Sequence, residues 1–248
     1  MTKPFAFPTA AALVPSLLDL EKVESTNAVL ASLPRVAGFS VVLSANQTKG
    51  RGRHNRQWVS TAGEALAVSV LLPPAALNSA VFSWVPLLVG LAVVRSLREL
   101  GLGNARLKWP NDVLVGDKKL AGSLCEVLPS GAVVAGVGIN LFFSSAPPAP
   151  RATALGSHIE FRRSTPDFFV ARFVDELRRL LGTRLDTISS DVSSAMETLH
   201  RAVEVLETDG GRWSGYARGL DKNGRLIVRT ANGEDRTVHA GDIEHLYQ

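Results

Sequence analysis

The sequence of 248 residues predicts a large unit in which helices and strands alternate, followed by a small all-β unit. Up to about residue 200, apolar runs of strand length alternate with segments that carry a helical apolar period. Beyond that point, about five short strand-like segments occupy fewer than 50 residues, which is typical of a small barrel of SH3-like size. We therefore predict two domains, residues 1–200 and residues 201–248.

The overall composition is that of an ordinary globular protein, with 46% hydrophobic and 20% charged residues. The net charge of +4 is too mild to indicate a nucleic-acid partner by itself. The single cysteine, Cys125, excludes an internal disulfide and a cysteine-based zinc site. Pro4, Pro8 and Pro15 interrupt the N-terminal segment, so we predict no signal peptide. The longest apolar run, Val81–Leu97, contains polar residues and predicts a buried helix rather than a membrane span.

The first predicted elements are a loose arm, a short helix and two strands. Residues 1–20 are rich in Ala and Pro and predict a loose arm with a short helix. A helix begins at Ser25-Thr26-Asn27, whose side chains can accept from the free N–H groups of a first turn, and it ends near Leu33. Phe39–Ala45 and Ala65–Leu72 are apolar runs rich in β-branched residues or Ala and predict buried strands.

The middle of the chain predicts long helices around a hairpin. Pro86–Leu100 is rich in Leu, Val and Ala and predicts a core helix that stops at Gly101. Residues 106–115 predict one strand that a Trp-Pro-Asn-Asp segment interrupts. Lys119–Leu128 and Ala132–Asn140 predict a hairpin. A helix is predicted at Thr165–Leu181, where Pro166 lies near the first helical position. Another is predicted at Ser189–His200.

The small all-β unit is predicted from its turns. Gly-Gly and Asn-Gly pairs separate short apolar segments, and Asn-Gly is the strongest short signal for a hairpin. The predicted strands are Ala202–Glu207, Trp213–Leu220, Arg225–Arg229, Arg236–His239 and Ile243–Tyr247.

The segment Gln47–Trp58 is strongly basic. Its four cations are Lys49, Arg51, Arg53 and Arg56. No Asp or Glu lies between Ser25 and Gly63, so these cations have no carboxylate partner within the stretch. Such a segment offers backbone N–H groups at Gly50 and Gly52 and guanidinium groups that match phosphate oxygens. It predicts an anion clamp, with a solvated basic turn as the alternative.

Three further motifs carry polar side chains or glycines in informative places. Lys108–Asp112 sets a lysine, an amide and a carboxylate around a proline, and the alternative is an ordinary type I turn. Lys119 begins a strand, from which it either points inward or lies in solvent. Gly136 and Gly138 interrupt an apolar strand, as glycines do where a ligand or another backbone approaches closely.

Several common sites are absent from the sequence. There is no Walker A motif and no Gly-x-Ser-x-Gly elbow. Gly136-Val137-Gly138 begins like a dinucleotide fingerprint, but Leu141 stands where the third glycine is needed. The five histidines lack the spacing of metal ligands, so we predict that they are surface residues.

In order and spacing, these motifs resemble those of biotin protein ligases, the biotin–[acetyl-CoA-carboxylase] ligases, in their short form. The resemblance runs from about Glu24 to the C-terminus. Many members carry a glycine at the place of Asn55, a departure that bears on loop mobility but leaves both arginines. The motifs that carry the resemblance are Ser25-Thr26-Asn27, Gln47 with Gly50-Arg51-Gly52-Arg53 and Trp58, Lys108–Asp112, Lys119–Gly122 and Gly136–Asn140.

The resemblance implies an α+β catalytic domain with a mixed β-sheet, related to class II aminoacyl-tRNA synthetases, and a C-terminal SH3-like barrel. About 24 residues precede Ser25, too few for the winged helix-turn-helix that makes some members repressors, so we expect no DNA binding. We also expect a cytoplasmic protein without membrane contact, and a monomer is slightly favoured.

The resemblance also implies a two-step reaction with biotin, ATP and Mg²⁺. Biotin and ATP form biotinyl-5′-AMP, and a lysine of the biotin carboxyl carrier domain of acetyl-CoA carboxylase, or of a related acyl-CoA carboxylase, then takes the biotinyl group. Lys119 and Arg53 are the implied catalytic residues, and Asp112 is the implied Mg²⁺ ligand.

The implied substrate contacts fall into two sets. The biotin contacts are Ser25, Thr26, Asn27, Gln47, Arg51, Gly52, Arg53, Lys119, Gly122, Gly136 and Gly138. The ATP contacts are Arg51, Arg53, Trp58, Lys108, Asn111, Asp112 and Asn140.

Two other functions fit parts of the sequence. A lipoate–protein ligase shares the catalytic fold, but the Gly-Arg-Gly-Arg loop and the C-terminal barrel argue against it. A nucleic-acid-binding protein would use the loop cations. Residues 201–248 hold seven Lys or Arg and eight Asp or Glu, however, so the C-terminal unit is not basic.

Overall fold

The computed structural model describes residues 3–34, 36–239 and 241–246, and its centre is a seven-stranded mixed sheet. The strands up to residue 140 are β1 (Leu17–Asp19), β2 (Val41–Ser44), β3 (Gly50–Arg51), β4 (Gln57–Trp58), β5 (Ala65–Leu72), β6 (Ala105–Lys108), β7 (Asp112–Val115), β8 (Lys118–Val127) and β9 (Val133–Asn140). In the sheet they lie in the order β1-β2-β5-β9-β8-β7-β6. Only the pair β1–β2 is parallel. Strands β3 and β4 form a separate antiparallel ribbon.

Helices cover both faces of this sheet. They are α1 (Pro8–Leu13), α2 (Thr26–Ser32), α3 (Ser79–Phe82), α4 (Val85–Glu99), α5 (Thr165–Leu181) and α6 (Leu185–Ala195). Alternate residues of a strand point to opposite faces. In β2, Val41 and Leu43 join the main core, in which α4 and α5 are packed, while Val42 joins a smaller cluster with Leu30 of α2. The face that carries α2 is also the face on which a cleft forms.

Most predicted elements of the large unit are confirmed within a few residues. Strand β5 has the predicted bounds, and α5 ends as predicted at Leu181. The predicted hairpin corresponds to β8 and β9. Helix α4 ends one residue before Leu100, and Gly101 follows with a φ of +95°. The sequence therefore determines the long core elements well, because each has a long apolar pattern and a clear stop.

The prediction of a loose N-terminal arm is wrong. Phe5 and Phe7 are buried, and β1 adds an edge strand beside β2. The backbone N–H groups of Thr9 and Ala10 donate to the carboxylate of Asp167, at 3.0 and 2.9 Å. Asp167 lies in α5, 158 and 157 residues away in sequence. Local sequence patterns therefore could not predict that its carboxylate caps the first turn of α1.

Two other predicted elements are also wrong. Residues 106–115 do not form one interrupted strand, because β6 and β7 are antiparallel and residues 109–111 form the turn between them. The helix predicted at Ser189–His200 is instead α6, which ends at Ala195, and Glu197 N–H donates to Leu107 O. In both places a tertiary backbone pairing prevailed over the local pattern.

The C-terminal unit is a five-stranded antiparallel sheet, which confirms the predicted small all-β unit. Its strands are β10 (Ala202–Leu206), β11 (Arg212–Leu220), β12 (Leu226–Arg229), β13 (Asp235–Val238) and β14 (Asp242–His245), in the order β13-β12-β11-β10-β14. Tyr247, the predicted end of the last strand, lies outside the described residues. A domain boundary near residue 200 stays a prediction.

Two tryptophans attach this sheet to the large unit. The indole N–H of Trp84 donates to Lys222 O at 3.0 Å, and that of Trp109 donates to Gly224 O at 3.1 Å. Trp109 N–H also donates to Thr198 Oγ1, which lies 3.1 Å from His245 Nε2. Burial, with the positive charge of Lys108 nearby, lowers the pKa of His245 to about 4. His245 is therefore a buried neutral residue rather than the predicted surface histidine.

Candidate active site

A cavity of about 200 Å³ lies between the start of α2, the β3–β4 ribbon, strands β7–β9 and the edge of the C-terminal sheet. The structure brings nearly all of the predicted site residues to its walls. These are Ser25, Thr26, Asn27, Gln47, Arg51, Gly52, Arg53, Trp58, Lys108, Asn111, Asp112, Lys119, Gly122, Gly136 and Gly138. They come from segments that are more than 100 residues apart in sequence, so the fold, not sequence proximity, assembles the cleft.

One end of the cleft, which we call the amide half, consists of Thr26, Asn27 and Gln47, with Ser69 and Glu126 behind Asn27. Gln47 Oε1 accepts from the backbone N–H of Thr26 at 2.9 Å and from its hydroxyl at 3.1 Å. Because a backbone N–H can only donate, the amide of Gln47 must turn its oxygen towards Thr26. Its NH₂ group is therefore left for the cleft.

The amide of Asn27 has the opposite orientation to that of Gln47, with its NH₂ group towards its protein partners. Its Nδ2 donates to Glu126 Oε2 at 2.6 Å and to Leu124 O at 3.3 Å. A backbone carbonyl and an ionised carboxylate can both only accept. Its Oδ1 accepts from the hydroxyl of Ser69 at 2.6 Å. That oxygen keeps one free lone pair. The amide half thus presents a donor from Gln47 and an acceptor from Asn27.

The two strand glycines make room for side chains of the cleft itself. A Cβ on Gly136 would lie 2.2 Å from Asn27 Oδ1, and one on Gly138 would lie 2.7 Å from the indole of Trp58. The two glycines therefore let Asn27 and Trp58 lie against β9. Their own contact with biotin stays a prediction.

The other end, which we call the cationic half, consists of Arg53, Arg56, Lys108, Asp112, Lys119 and Asp242. Lys119 Nζ lies 2.6 Å from Asp112 Oδ1 and 5.8 Å from the centre of the Trp58 ring. Lys119 therefore points into the cleft and not into bulk solvent. Burial lowers the pKa of Lys108, and the neighbouring Asp112 opposes that shift. Lys108 and Lys119 thus both lie near the carboxylate of Asp112 in the cleft.

Two arginines of the basic segment, Arg53 and Arg56, pair with a carboxylate that lies outside the segment, although none lies within it. Asp242 lies at the start of β14, 189 residues from Arg53 in sequence. Its Oδ1 is 2.9 Å from Arg53 Nη1, and its Oδ2 is 2.7 Å from Arg56 Nη2. Arg53 Nη2 also donates to Gly241 O at 3.0 Å. The C-terminal sheet therefore holds the ribbon by its arginines.

The ribbon differs from the predicted open glycine loop in a second respect. Gly52 N–H donates to Arg56 O at 2.7 Å, so it is not free for an anion, and Arg56 N–H donates to Arg53 O at 3.1 Å to close a 3₁₀ turn over Arg53–Asn55. Lys49 pairs with Glu24 at 2.8 Å, and both side chains are largely exposed. Burial lowers the pKa of Arg53, whereas Asp242 opposes that shift. Arg53 remains charged, because an arginine pKa starts far above neutrality.

One predicted site residue lies elsewhere. Asn140 is 4% exposed at the end of β9, its Nδ2 donates to Thr153 O at 2.9 Å, and it does not line the cleft. We therefore leave Asn140 out of the proposed nucleotide contacts. Sequence reasoning missed Asp242, which lines the cleft, and Ser69 and Glu126, which contact Asn27 without lining it. No local motif marks any of them, because each acts on a side chain from a distant segment.

The described residues contain no group of three or more His, Cys, Asp or Glu that could hold a metal ion. Asp112 offers one carboxylate in the cationic half, and its Oδ1 contacts Lys119. Mg²⁺ commonly binds to one or two carboxylates together with substrate phosphates. The donor set thus fits a metal that arrives with a polyphosphate, not a metal held by protein side chains alone.

Comparisons with known proteins bear on the whole chain. The Biotin/lipoate A/B protein ligase family matches residues 20–142, and the Biotin protein ligase C terminal domain matches residues 198–246. The biotin–[acetyl-CoA-carboxylase] ligase of Mycobacterium tuberculosis is 34% identical over 237 residues, which cover 90% of this chain and 86% of that protein. The chain belongs to the biotin protein ligase family. The sequence-based assignment to this family is thereby confirmed.

Solved structures of the family share the fold of this ligase. A biotin protein ligase from Aquifex aeolicus in complex with biotin and ATP superimposes with a TM-score of 0.79 at 28% identity, covering 94% of this chain and all of that one. The Leishmania major enzyme in complex with biotinyl-5-AMP gives 0.63 at 26% identity, covering 91% and 99%. The predicted α+β class is confirmed. No helix in the described ranges is long and apolar enough to cross a bilayer.

Proposed function

We propose that this chain activates biotin as biotinyl-5′-AMP and transfers the biotinyl group to one lysine of a carrier domain. It is an ATP-dependent biotin protein ligase. The observation that carries the mechanism is the joining of an amide half and a cationic half in one cleft. Because the relative from Mycobacterium tuberculosis is named for acetyl-CoA carboxylase, we take the carrier domain of that enzyme, or of a related acyl-CoA carboxylase, as the acceptor.

The amide half suits the ureido head of biotin. A ureido group presents one carbonyl acceptor between two N–H donors. The NH₂ group of Gln47 can donate to the carbonyl, and Asn27 Oδ1 can accept from one N–H. Protein partners turn both amides into the orientation that this task requires. Groups held in the binding orientation need little reorganisation, which favours affinity. Trp58, lying over Gly138, would form the apolar wall along the bicyclic ring.

The cationic half suits the first chemical step. One oxygen of the biotin carboxylate attacks the α-phosphorus of ATP, the bond to the bridging oxygen breaks, and pyrophosphate leaves. Two unit charges 4 Å apart repel by about 4 kcal/mol at an effective dielectric of 20. Lys119 lies between Trp58 and Asp112, where its ammonium can neutralise both anions. Removing that repulsion and orienting the reactants is the main contribution that we assign to the protein.

The remaining cations would hold the rest of the nucleotide. We assign Arg51, Arg53 and Lys108 to its phosphates, with Asn111 alongside them, because all four line the cleft and the first three are cationic. Asp112 is the one carboxylate near Lys119 that could hold Mg²⁺ together with those phosphates. When bound, Mg²⁺ supplies further neutralisation of phosphate charge.

The second step transfers the biotinyl group. The acceptor lysine, as the free amine, attacks the acyl carbon of biotinyl-5′-AMP and loses a proton as the amide bond forms. The bond from the acyl carbon to the bridging oxygen breaks, and AMP leaves with that oxygen. Water would destroy the same anhydride, so the cleft must exclude it. The β3–β4 ribbon carries Trp58 and Arg53 over the cleft and is suited to that role. The reaction would take place in the cytoplasm, where both ATP and the carrier are found.

A lipoate–protein ligase is the nearest competing function, because the matched family includes such enzymes. Lipoate has no ureido group. Binding it would bury the Gln47 NH₂ group and the Asn27 oxygen without partners, and an unsatisfied buried polar group costs about 1–3 kcal/mol. The amide half therefore favours biotin over lipoate.

The decisive experiment offers the purified protein ATP, Mg²⁺ and an apo carrier domain, with biotin or lipoate. We expect one biotinyl group on one carrier lysine, observed by mass spectrometry, and pyrophosphate release that depends on biotin. A carrier domain with its acceptor lysine changed to arginine is the matched control. Lipoyl transfer in preference to biotinyl transfer would contradict the proposal.

A further inference from the structure

Glu126 makes a contact with the amide half that the proposed reaction does not require. It lies near the end of β8 and is half-buried. Its Oε2 accepts from Asn27 Nδ2 at 2.6 Å. Gly122, Leu124 and Glu126 alternate along β8, and the first two line the cleft, so the carboxylate is on the cleft face of the sheet. Glu126 itself is beyond the cavity wall, behind Asn27.

The other neighbours of the Asn27 amide cannot hold its orientation equally well. The hydroxyl of Ser69, 2.6 Å from Oδ1, can either donate or accept, so it would tolerate an amide turned by 180°. Leu124 O can only accept, but its distance to Nδ2 is 3.3 Å, beyond the usual range for a good N–H···O bond. Glu126 combines a short distance with a full negative charge, and charge-assisted hydrogen bonds are the stronger ones.

The orientation matters because of what the amide presents to the cleft. With Nδ2 towards β8, Oδ1 faces Ser69 and the cleft as an acceptor. With the amide reversed, the NH₂ group would meet the N–H of the ureido ring, and two donors would oppose each other. Asn27 packs closely against Gly136, where an added Cβ would lie 2.2 Å from Oδ1. The side chain therefore has little room to relieve such a clash by moving.

We propose that Glu126 is a positioning residue that determines biotin recognition by holding the Asn27 amide with its oxygen towards the ureido ring. Glu126 does not touch biotin in this arrangement and acts only through Asn27. The inference rests on the proposed ligase function. It adds a residue to the specificity apparatus that no local motif identifies.

The test compares wild-type protein with Glu126→Ala, Glu126→Gln and Val127→Ala. Val127 is 60% exposed on the same strand and has no place in the cleft, so it is the matched control. Four quantities are measured for each protein: kcat, KM for biotin, KM for ATP and the melting temperature. The dissociation constant for biotin alone is measured by calorimetry, so that recognition is followed without ATP.

For Glu126→Ala we expect the dissociation constant and KM for biotin to rise about tenfold, as for loss of a hydrogen bond to a charged group. We expect kcat at saturating biotin and KM for ATP to stay unchanged, because the ureido ring is remote from the reacting carboxylate. Glu126→Gln keeps an acceptor oxygen and is expected to restore KM to within about threefold of wild type. Val127→Ala should match wild type throughout.

Three results would overturn the inference. The first is an unchanged KM for biotin in Glu126→Ala. The second is equal impairment of Glu126→Gln and Glu126→Ala. The third is a parallel loss of kcat, both KM values and melting temperature, which would indicate a structural role alone. If wild-type protein fails to ligate biotin, the proposed function fails instead, and this outcome is seen before any variant is made.

Discussion

The two halves of the cleft are prepared for their ligands in different ways. In the amide half, neutral groups are locked in one orientation by hydrogen bonds to Thr26, Ser69 and Glu126. In the cationic half, Lys119 pairs with Asp112, and Arg53 and Arg56 share the single carboxylate of Asp242. The groups of the amide half are thus held by hydrogen bonds that leave a donor and an acceptor for the ligand, whereas the cationic half holds its charges on the protein's own carboxylates.

The difference follows from electrostatics. An unpaired cation removed from water is unfavourable by several kcal/mol, so partly buried arginines and lysines need a counter-ion in the free protein. Neutral amides need only hydrogen-bond partners, which a strand and a helix start can supply permanently. When a nucleotide binds, the cations of the cleft must therefore exchange their carboxylate partners for phosphates or share them with phosphates. Biotin recognition instead adds hydrogen bonds to an existing network. The following predictions test this contrast.

Lys119→Ala has the largest expected effect. We expect the rate of biotin-dependent pyrophosphate release to fall by about 1,000-fold, comparable with the loss of a key charge-stabilising group in other enzymes. Binding of biotin alone should weaken much less than the rate falls, because the amide half remains intact and only the contact of Lys119 with the biotin carboxylate is lost. A pyrophosphate-release assay and calorimetry with biotin measure the two quantities.

The neighbouring Lys118 provides the control, because it lies exposed on the same strand. Lys118→Ala should retain wild-type rates. Normal adenylate formation by folded Lys119→Ala would remove Lys119 from the catalytic role.

Gly136→Ala tests the amide half. The new Cβ would lie 2.2 Å from Asn27 Oδ1, so Asn27 must move although Glu126 and Ser69 hold it. Overpacking of this kind costs about 1–3 kcal/mol, so we expect the dissociation constant for biotin to rise roughly 30-fold. Calorimetry gives the value.

Gly103→Ala is the matched control, because nothing lies within 4 Å of the position that its Cβ would take. It should bind biotin as wild type does. Wild-type affinity in Gly136→Ala would mean that the amide half is adaptable, and the contrast between the halves would fail.

Arg53→Gly tests how the ribbon is held over the cleft. It removes the bonds to Asp242 and to Gly241 O, so the ribbon should open more often and expose the adenylate. We expect biotinyl-5′-AMP to escape about tenfold faster, measured by gel filtration of the loaded enzyme. Lysines of bystander proteins should be biotinylated as a result.

Arg162→Gly is the control, because it breaks only an exposed pair with Glu160. It should retain the adenylate normally. Equal retention by Arg53→Gly and wild type would exclude a lid function for this arginine.

The sequence predicted the core elements and most of the residues that line the cleft, because both have local sequence patterns. Apolar periods identify α4 and β5, and polar motifs identify Ser25-Thr26-Asn27 and Lys119. The proposed contacts of these residues with biotin and ATP stay predictions. The family resemblance, not periodicity, linked these segments into one site, because strand order is set by long-range pairing.

The partners of the site residues could not be predicted in the same way. Asp167, Asp242 and Glu126 each act on a segment between 99 and 189 residues away, and none belongs to a motif. An isolated carboxylate in a sequence has the same local appearance whether it pairs with solvent or with a buried arginine. The absence of acidic residues around Arg53 suggested free cations, and only the fold revealed their counter-ion.

Asp242→Asn has the smallest expected effect and tests the exchange of partners directly. The change leaves Arg53 and Arg56 side by side without a full negative charge. Their mutual repulsion should loosen the ribbon in the free protein. We expect trypsin to cleave after Arg53 or Arg56 about threefold faster than in wild type, because cleavage follows the population of locally open states.

Nucleotide should reverse this effect. With biotin and ATP bound, phosphate charge replaces the missing carboxylate, so protection of Asp242→Asn should return to the wild-type level. The control is Asp235→Asn, which breaks the exposed pair with Arg229 on the same sheet and should not alter cleavage of the ribbon. If Asp242→Asn stays equally sensitive when ligands are bound, Asp242 is a permanent anchor. The cationic half would then be as fixed as the amide half, and the distinction between exchanged and permanent partners would be lost.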